Sequence, residues 1–164
     1  MGYRFIGWVF DYGSMDCQQA INNVIPVIHN PASVQKLLDA VKVSLGFGVR
    51  TIVVTKAVGT AAQQGVPEAF RLVLKSGATL IVLPDIRDAV ELLRPDSIYF
   101  LSTRGDPMSD EIRGRTLMIV QASDQPFMQG ELSLGRQVKV VGRDVGSTAL
   151  LTLALNRVLG QCLE

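Results

Sequence analysis

The sequence predicts a single α/β domain with a mainly parallel sheet covered by helices on both faces. Short β-branched runs alternate with segments of helical apolar spacing along most of the 164 residues. A hydrophobic content of 48% is enough to bury a substantial core. The change of period is clearest near the end of the sequence, where the apolar strand Val138–Val141 is followed by an apolar helix from Ser147 to Leu159.

The clear pattern of strands and helices begins at residue 24. Residues 1–23 carry only a weak pattern, so we expect an N-terminal extension followed by a domain over 24–164. Val24–His29 reads as a strand, although Pro26 requires a position where one amide needs no partner. Ser33 is the expected N-cap of the next helix, because apolar residues follow it at helical spacing.

The strand and helix unit then repeats. Further strands are predicted at Thr51–Thr55, Thr79–Leu83, Ser97–Leu101, Thr116–Val120 and Val138–Val141. One helix should begin near Pro67 and end at Ser76, and another should run from Asp85 to Leu93, where Pro95 stops it. In such sheets ligands collect at the carboxyl ends of the strands, and most of those ends are polar here.

Charge and cysteine content restrict the function. Sixteen Lys and Arg residues face fifteen Asp and Glu residues, so no overall electrostatic attraction to RNA or membranes exists and any RNA contact must be local. Cys17 and Cys162 are too few for a disulfide framework or a metal site, so we expect free thiols and a cytoplasmic protein. The apolar run near the N-terminus is too short for a signal-peptide core, and no apolar run has membrane-spanning length.

The loop between the last strand and the last helix is a candidate binding site. Gly146 gives it flexibility, and the hydroxyls of Ser147 and Thr148 are expected to cap the helix, whose free backbone amides would face the loop. Such a loop can bind an anion or a polar ligand edge. The same residues also suit an ordinary capped turn between a strand and a helix.

Other catalytic motifs are absent from the sequence. A RecB-type nuclease needs carboxylates on adjacent strands and a Glu-x-Lys pair, but no Glu is followed two residues later by Lys. The three acidic residues Asp85, Asp88 and Glu91 have helical spacing, so we predict no metal site. The phosphate-binding Walker loop, the Gly-x-Ser-x-Gly elbow and the dinucleotide glycine motif are also missing.

Two longer stretches resemble the SpoU branch of the SPOUT methyltransferase superfamily. One runs from His29 through Gly59-Thr-Ala-Ala-Gln-Gln-Gly-Val-Pro67, and the other covers Thr116 to Leu159, with Gln121-Ala-Ser-Asp124 at a strand end. The chain is most similar to small archaeal SpoU-like proteins that have sometimes been labelled RecB-like nucleases. The resemblance extends over roughly 24–159.

This resemblance implies a C-terminal trefoil knot, a homodimer that packs around the knot, and S-adenosylmethionine bound by the knot loops. Adenine and ribose edges need backbone donors and acceptors, which sharp loops of small residues present. Carried over by position, the cofactor-binding residues are Gln121, Ala122, Ser123, Val140, Val141, Gly142, Gly146, Ser147 and Thr148.

The catalytic positions depart from the SpoU pattern. Ser33 stands where that pattern has Asn, and Asp39 stands where it has a catalytic Arg; an acid cannot orient a phosphate as arginine does. His29, the single histidine, is a candidate general base or a structural hydrogen-bond partner, and Asn30 lies beside it. Arg104 at a strand end could grip a phosphate or be an exposed loop cation.

The sequence therefore favours an S-adenosylmethionine-dependent methyltransferase acting on RNA, either tRNA or rRNA. The alternative is a catalytically silent SPOUT-fold dimer that binds RNA or a protein partner. Asp39, at the position of the catalytic arginine, determines whether the familiar ribose methylation survives.

Overall fold

A computed structural model describes residues 15–163, which form one seven-stranded parallel sheet between two layers of helices. The strands lie in the spatial order β3-β2-β1-β6-β4-β7-β5. They are β1 (Val24–His29), β2 (Thr51–Thr55), β3 (Thr79–Leu83), β4 (Ser97–Ser102), β5 (Asp106–Pro107), β6 (Thr116–Gln121) and β7 (Arg136–Lys139). Every pairing between them is parallel, which confirms the predicted α/β class.

Residues 15–163 contain six α-helices, which connect or flank these strands. They are α1 (Cys17–Asn23), α2 (Val34–Gly46), α3 (Val66–Lys75), α4 (Ile86–Leu93), α5 (Gln129–Leu132) and α6 (Ser147–Leu159), and a π-helical turn at Ala61–Gly65 leads into α3. No helix of the described residues is both long and apolar enough to cross a membrane.

Local sequence signals set most of the helix ends. The Ser33 side chain accepts a hydrogen bond from the Lys36 amide at 3.1 Å and caps α2, as predicted. Asp85 caps α4 by accepting from the Ile86 amide at 2.7 Å. Helix α6 differs from the prediction, because its N-cap is Gly146 and no side chain caps it.

The position of Pro26 explains how a proline is tolerated in a central strand. The ladder between β1 and β6 runs from Val24 to His29, whereas the ladder between β1 and β2 begins only at Val27. Pro26 therefore lies in the part of β1 that has a ladder on one side alone. At the other end of the sheet, β7 stops at Lys139, so the predicted strand residues Val140 and Val141 belong to the following loop.

The sheet separates two apolar cores. Helices α1, α2, α3 and α6 cover one face, where Ile28, Val54 and Leu155 are fully buried. Helix α4 and the segment through α5 cover the opposite face, where Val27, Ile86 and Phe100 have no exposed surface. Burying one such side chain contributes about 1.5 to 3 kcal/mol, so both layers help to fix the sheet.

The prediction of free thiols is wrong, because Cys17 and Cys162 form a disulfide bond across 145 residues of sequence. Cysteine count gave no hint of the bond, since it forms only when α1 and the segment after α6 meet on the same face of the sheet. Helix α1 contacts both α6 and β1, so this part of the expected extension packs on the domain. Residues 1–14 of that extension lie outside the described part.

Candidate functional site

A cleft of about 330 Å³ opens at the carboxyl edge of the sheet, on the side covered by α2 and α6. Its wall combines the ends of β4 and β6, the loop before α6 and one residue of α2. The lining residues are Lys36, Thr103, Gln121, Ser123, Asp124, Asp144, Val145, Gly146, Ser147 and Leu150. Three strand and helix connections thus converge where a parallel sheet is expected to place a ligand.

The start of α6 supplies unused hydrogen-bond donors to this cleft. Gly146 has a φ of +85°, and its amide donates to Asp144 Oδ1 at 2.9 Å. No side chain caps the helix, so the amides of its first turn, beginning at Ser147 and Thr148, are available to a ligand. A Cβ added at Gly146 would meet no atom within 4 Å, which means that the backbone angle rather than crowding requires glycine here.

A wider groove of about 650 Å³ continues from the cleft along α2 and α6. Lys36 and Gly146 line both spaces, while Asp39, Ala149 and Leu153 line only the groove. Asp39 accepts a hydrogen bond from Gln35 Nε2 at 2.7 Å. Asp39 stands where the SpoU pattern has an arginine. Lys36, one helical turn earlier, still places a positive charge beside the cleft.

Only some of the predicted cofactor-binding residues line the cleft. Gln121, Ser123, Gly146 and Ser147 do, and Thr148 lines the adjoining groove. The predicted residues Ala122, Val140, Val141 and Gly142 are outside both linings.

Two of these outlying residues have backbone groups that are already paired. The Ala122 amide donates to the His29 carbonyl at 2.9 Å, and the Ala122 carbonyl accepts from Ala32. The Val140 amide donates to Ser102 at 2.9 Å. These amides hold the sheet edge together and have no donor left for a ligand.

The predicted catalytic residues are dispersed. Asn30 is the one connected to the cleft, since its Nδ2 donates to Ser123 Oγ at 3.3 Å. Ser33 uses its hydroxyl as the helix cap, and Arg104 is exposed in the loop after β4, outside the cleft lining. His29 is buried, with 1% of its surface exposed.

The His29 ring occupies a second polar site on the other face of β1. Its Nδ1 lies 2.8 Å from Thr55 Oγ1 and its Nε2 lies 2.9 Å from Glu131 Oε2. Phe127 stacks on the ring with a centroid distance of 6.2 Å, and Phe100 packs edge-on against Phe127. The imidazole is therefore held in one orientation by two polar and one aromatic contact.

Burial lowers the pKa of His29 below its ordinary value of 6.5. The negative charges of Glu131 and Asp85 oppose this shift, and Lys56 adds to it. Asp85 completes the site. One atom each of Asp85, Glu131 and His29 that could bind a metal ion lies within 4.8 Å of the other two. The neutral ring is thus favoured at physiological pH although two carboxylates surround it.

Sequence reasoning missed residues in both sites. Asp144 and Thr103 line the cleft but were not named as site residues, although Asp144 lies in the candidate loop before α6 and Thr103 follows a strand end. Glu131 lies 102 residues from His29 in sequence, so no local pattern could have joined them. Asp85 was considered only for its helical spacing from Asp88 and Glu91. That spacing gave no sign that its carboxylate lies near His29.

Comparison with solved structures defines the class of fold. The SpoU methyltransferase AviRb from Streptomyces viridochromogenes, solved in complex with AdoMet, gives a TM-score of 0.69 at 10% identity over 84% of this chain. This chain spans 60% of AviRb. A "Probable Methyltransferase from Bordetella pertussis Tohama I" gives 0.70 at 14% identity, covering 90% of this chain and 98% of its own. The fold is that of the SpoU-type SPOUT methyltransferases, as predicted.

Sequence comparison defines the family. The family model described as RecB-family nuclease (DUF2122) matches residues 59–157, more than half of the chain. "Putative type II restriction enzyme ApeKORF2002P" of Aeropyrum pernix is 39% identical over 140 residues, covering 80% of this chain and 90% of that protein. A similarly named protein of Methanocaldococcus jannaschii, "Putative type II restriction enzyme MjaORF1200P", is 28% identical over 132 residues, covering 78% and 90%. The chain belongs to the RecB-family nuclease (DUF2122) family. This family match and the SpoU-type fold together confirm both parts of the resemblance.

Proposed function

We propose that this protein is an S-adenosylmethionine-dependent RNA methyltransferase of the SPOUT type, and that the cofactor binds in the cleft beside Gly146. The observation that carries the proposal is the cleft itself, lined by Gln121, Ser123 and Ser147 at the carboxyl edge of a SpoU-type sheet. A SpoU methyltransferase of the same fold holds AdoMet, which supports the same cofactor here.

The residues of the cleft suit the cofactor chemically. Free amides in the first turn of α6 can donate to the carboxylate or ribose hydroxyls, and the Gln121 and Ser123 side chains offer polar atoms to an adenine edge. Leu150 gives the floor an apolar patch for the purine face. We place the trefoil knot of the superfamily in the same loops. Threading of the chain through these loops would then fix the shape of the cleft.

When bound, S-adenosylmethionine would supply an electrophilic sulfonium methyl group for transfer to a nucleophilic atom of RNA. Lys36 is positioned at the junction of cleft and groove, where its ammonium can pair with a backbone phosphate. Asn30 orients Ser123 through its amide. Arg104, exposed at the same edge of the sheet, is available to a second phosphate.

We further propose that two copies associate through the outer side of α6. The sequence suggested apolar residues all round this helix, yet Leu151, Leu155 and Leu159 are fully covered within the chain. The apolar surface left open is narrower: Leu153 of α6 is 43% exposed and lines the groove, and Val145 in the loop before α6 is 44% exposed and lines both the groove and the cleft. A dimer over this strip would cover apolar surface and enclose the cofactor.

We place the protein in the cytoplasm with its RNA substrate. The Cys17–Cys162 bond is compatible with this location in a cell whose cytoplasm tolerates protein disulfides.

The alternative function is a SPOUT-fold module that binds RNA or a protein without catalysis. Asp39 favours it, since an acid replaces the arginine of the SpoU pattern. The restriction-enzyme names of the relatives suggest DNA cleavage instead, which requires a divalent metal beside the scissile phosphate.

One assay separates the three functions. Purified protein is incubated with methyl-tritiated S-adenosylmethionine and unmodified tRNA and rRNA transcribed in vitro, and in parallel with duplex DNA and Mg²⁺. If the protein is a methyltransferase, tritium should appear in the RNA. Lys36→Met should abolish this incorporation and keep the wild-type affinity for S-adenosylmethionine. RNA retention without tritium would support the silent module, and cut DNA would support the nuclease.

A further inference from the structure

Three side chains that can bind a metal ion, the His29 ring and the two carboxylates beside it, carry an inference that is independent of the cleft. They come from three separate elements: His29 ends β1, Asp85 caps α4 and Glu131 lies in α5. Their donor atoms lie within 4.8 Å of one another, and no other group of this kind occurs among residues 15–163. One imidazole and two carboxylates form a donor set that suits Mn²⁺, Fe²⁺ or Zn²⁺.

Both carboxylates are oriented by hydrogen bonds from backbone amides, and the Asp85 side chain also accepts from the Asp88 amide in a capping box. Glu131 Oε1 accepts from the Met128 amide at 2.8 Å, and its other oxygen faces His29. Asp85 Oδ1 accepts from the Ile86 amide at 2.7 Å. Such second contacts hold metal ligands in place before the ion arrives, because they remove rotamer freedom from the side chains.

The imidazole is oriented in the same way. Thr55 is fully buried, and its hydroxyl lies 2.8 Å from Nδ1. When the Nδ1 proton is donated to this hydroxyl, Nε2 keeps its lone pair and faces the Glu131 oxygen. Two lone pairs then oppose each other at 2.9 Å, and a cation between the ligands removes that repulsion.

Charge and access also favour a cation. Asp85 and Glu131 place two negative charges near the ring, against the single nearby positive charge of Lys56. Asp85 is exposed, so an ion can enter from its side, while the His29 ring closes the inner end. The exposed outer end leaves room for the waters that complete the coordination shell.

We propose that His29, Asp85 and Glu131 bind one divalent transition-metal ion on the face of β1 opposite the cleft. The competing arrangement is a metal-free hydrogen-bond network in which Nε2 carries the proton and donates it to Glu131. The two arrangements place the imidazole proton on different nitrogen atoms, and they can be distinguished by that proton.

The single histidine makes the proton directly observable. Full-length protein with an oxidised disulfide and a histidine-free tag is labelled with ¹⁵N-histidine, stripped with chelator and titrated with Zn²⁺. Two-bond proton-nitrogen spectra then report the tautomer. The metal site predicts Nδ1–H with a shifted, metal-bound Nε2 at one Zn²⁺ per chain, whereas Nε2–H retained at saturating Zn²⁺ would overturn the proposal.

Calorimetry with Zn²⁺ and Mn²⁺ on variants assigns the ligands. Glu131→Gln and Asp85→Asn each keep an oxygen for the Met128 or Ile86 amide and lose the charge, so the fold should persist and affinity should fall about 100-fold or more. Thr55→Val, which removes only the orienting hydroxyl, should weaken binding about 10-fold to 100-fold.

The matched control is Glu91→Gln, an exposed carboxylate on α4 outside the group. It should bind metal as the wild type does. Circular dichroism and melting temperature of every variant confirm that the fold is retained. Wild-type affinity in folded Glu131→Gln and Asp85→Asn, or no binding heat in the wild type, would show that these residues form only a hydrogen-bond network.

Discussion

The two polar sites lie on opposite faces of β1, only a few residues apart, and they are constructed differently. The cleft is lined by loops and small side chains, and the amides that begin α6 at Ser147 have no capping side chain. The His29 ring is buried at the inner end of its site, and both ring nitrogens already have partners at 2.8 and 2.9 Å. The cleft can therefore exchange a large ligand, while the buried site can hold a proton or a single ion.

The largest expected effect concerns the face that carries the cleft. The Cys17–Cys162 bond closes 145 residues, which in the chain-entropy model stabilises the fold by about 5 kcal/mol. A Cys17→Ser/Cys162→Ser double variant should lose about 4 to 5 kcal/mol of unfolding free energy in urea denaturation. Wild-type protein in strong reductant is the control and should match the double variant.

The same variant should leave the opposite face of the sheet unchanged. Below the unfolding transition, histidine resonances should keep the wild-type pattern, since the ring contacts of Thr55, Phe127 and Glu131 do not involve α1. An unfolding free energy equal to that of the oxidised wild type would mean that the bond does not constrain the chain.

The second effect breaks the cleft without touching the buried site. Gly146→Val forces a β-branched residue to a φ of +85°, at a strain of about 1 to 3 kcal/mol, and moves the amides that begin α6. We expect S-adenosylhomocysteine affinity to fall at least about 100-fold, equivalent to ~2.7 kcal/mol. Calorimetry on protein shown to be folded by circular dichroism gives the measurement.

Gly77→Val is the matched control for strain. Gly77 has a φ of +73° and, like Gly146, no atom within 4 Å of an added Cβ, but it lies between α3 and β3 at the opposite edge of the sheet. It should lose similar stability and keep wild-type ligand affinity. Equal affinity in both variants would place the ligand elsewhere, and the loop around Gln121 would have to be tested next.

The third effect concerns the exposed strip of α6. Leu153→Lys places a charge on the proposed dimer contact and should weaken association at least about tenfold, because burying an unpaired ammonium is costly. Sedimentation at micromolar concentration should show a dimer for the wild type and the 17.8 kDa monomer for the variant. Leu74→Lys, at a 71% exposed position on α3, should remain dimeric. A monomeric wild type would remove the composite site.

The smallest effect belongs to the buried site. Burial holds the pKa of His29 below 6.5 in the folded, metal-free protein. Between this lowered pKa and pH 6.5, the unfolded chain therefore binds more protons than the folded protein does. The contribution of His29 to the unfolding free energy should therefore be greatest above pH 6.5. It should decline as the pH falls toward the pKa of the folded protein, by at most about 1.4 kcal/mol per pH unit. His29→Gln should lack this component in chelator-treated samples. Parallel pH profiles of the two proteins between pH 5 and 7 would contradict it.

Much of the fold could be predicted from local pattern. Ser33 as a helix cap, Pro95 as a helix stop and the span of α6 from Ser147 to Leu159 follow from chemistry within a few residues. The contacts that join distant elements could not be predicted. His29 meets Glu131 across 102 residues, and Cys17 meets Cys162 across 145, because only the sheet order brings those segments together.

The candidate site shows the same division. Gly146 and Ser147 were found because a glycine before a helix is a local signal, and they do line the cleft. Val140 and Ala122 were included by sequence position, yet their amides are used by Ser102 and His29. Whether a backbone donor is free depends on its neighbours in the sheet, which sequence position does not reveal.

The most direct test of the central claim is calorimetric titration of the wild-type protein with S-adenosylhomocysteine. If the cleft beside Gly146 holds the methyl donor, the titration saturates at one ligand per chain, and chelator does not change the affinity because the His29 site lies on the other face. No heat and no thermal shift at millimolar ligand would contradict the methyltransferase function and leave the silent module as the better account.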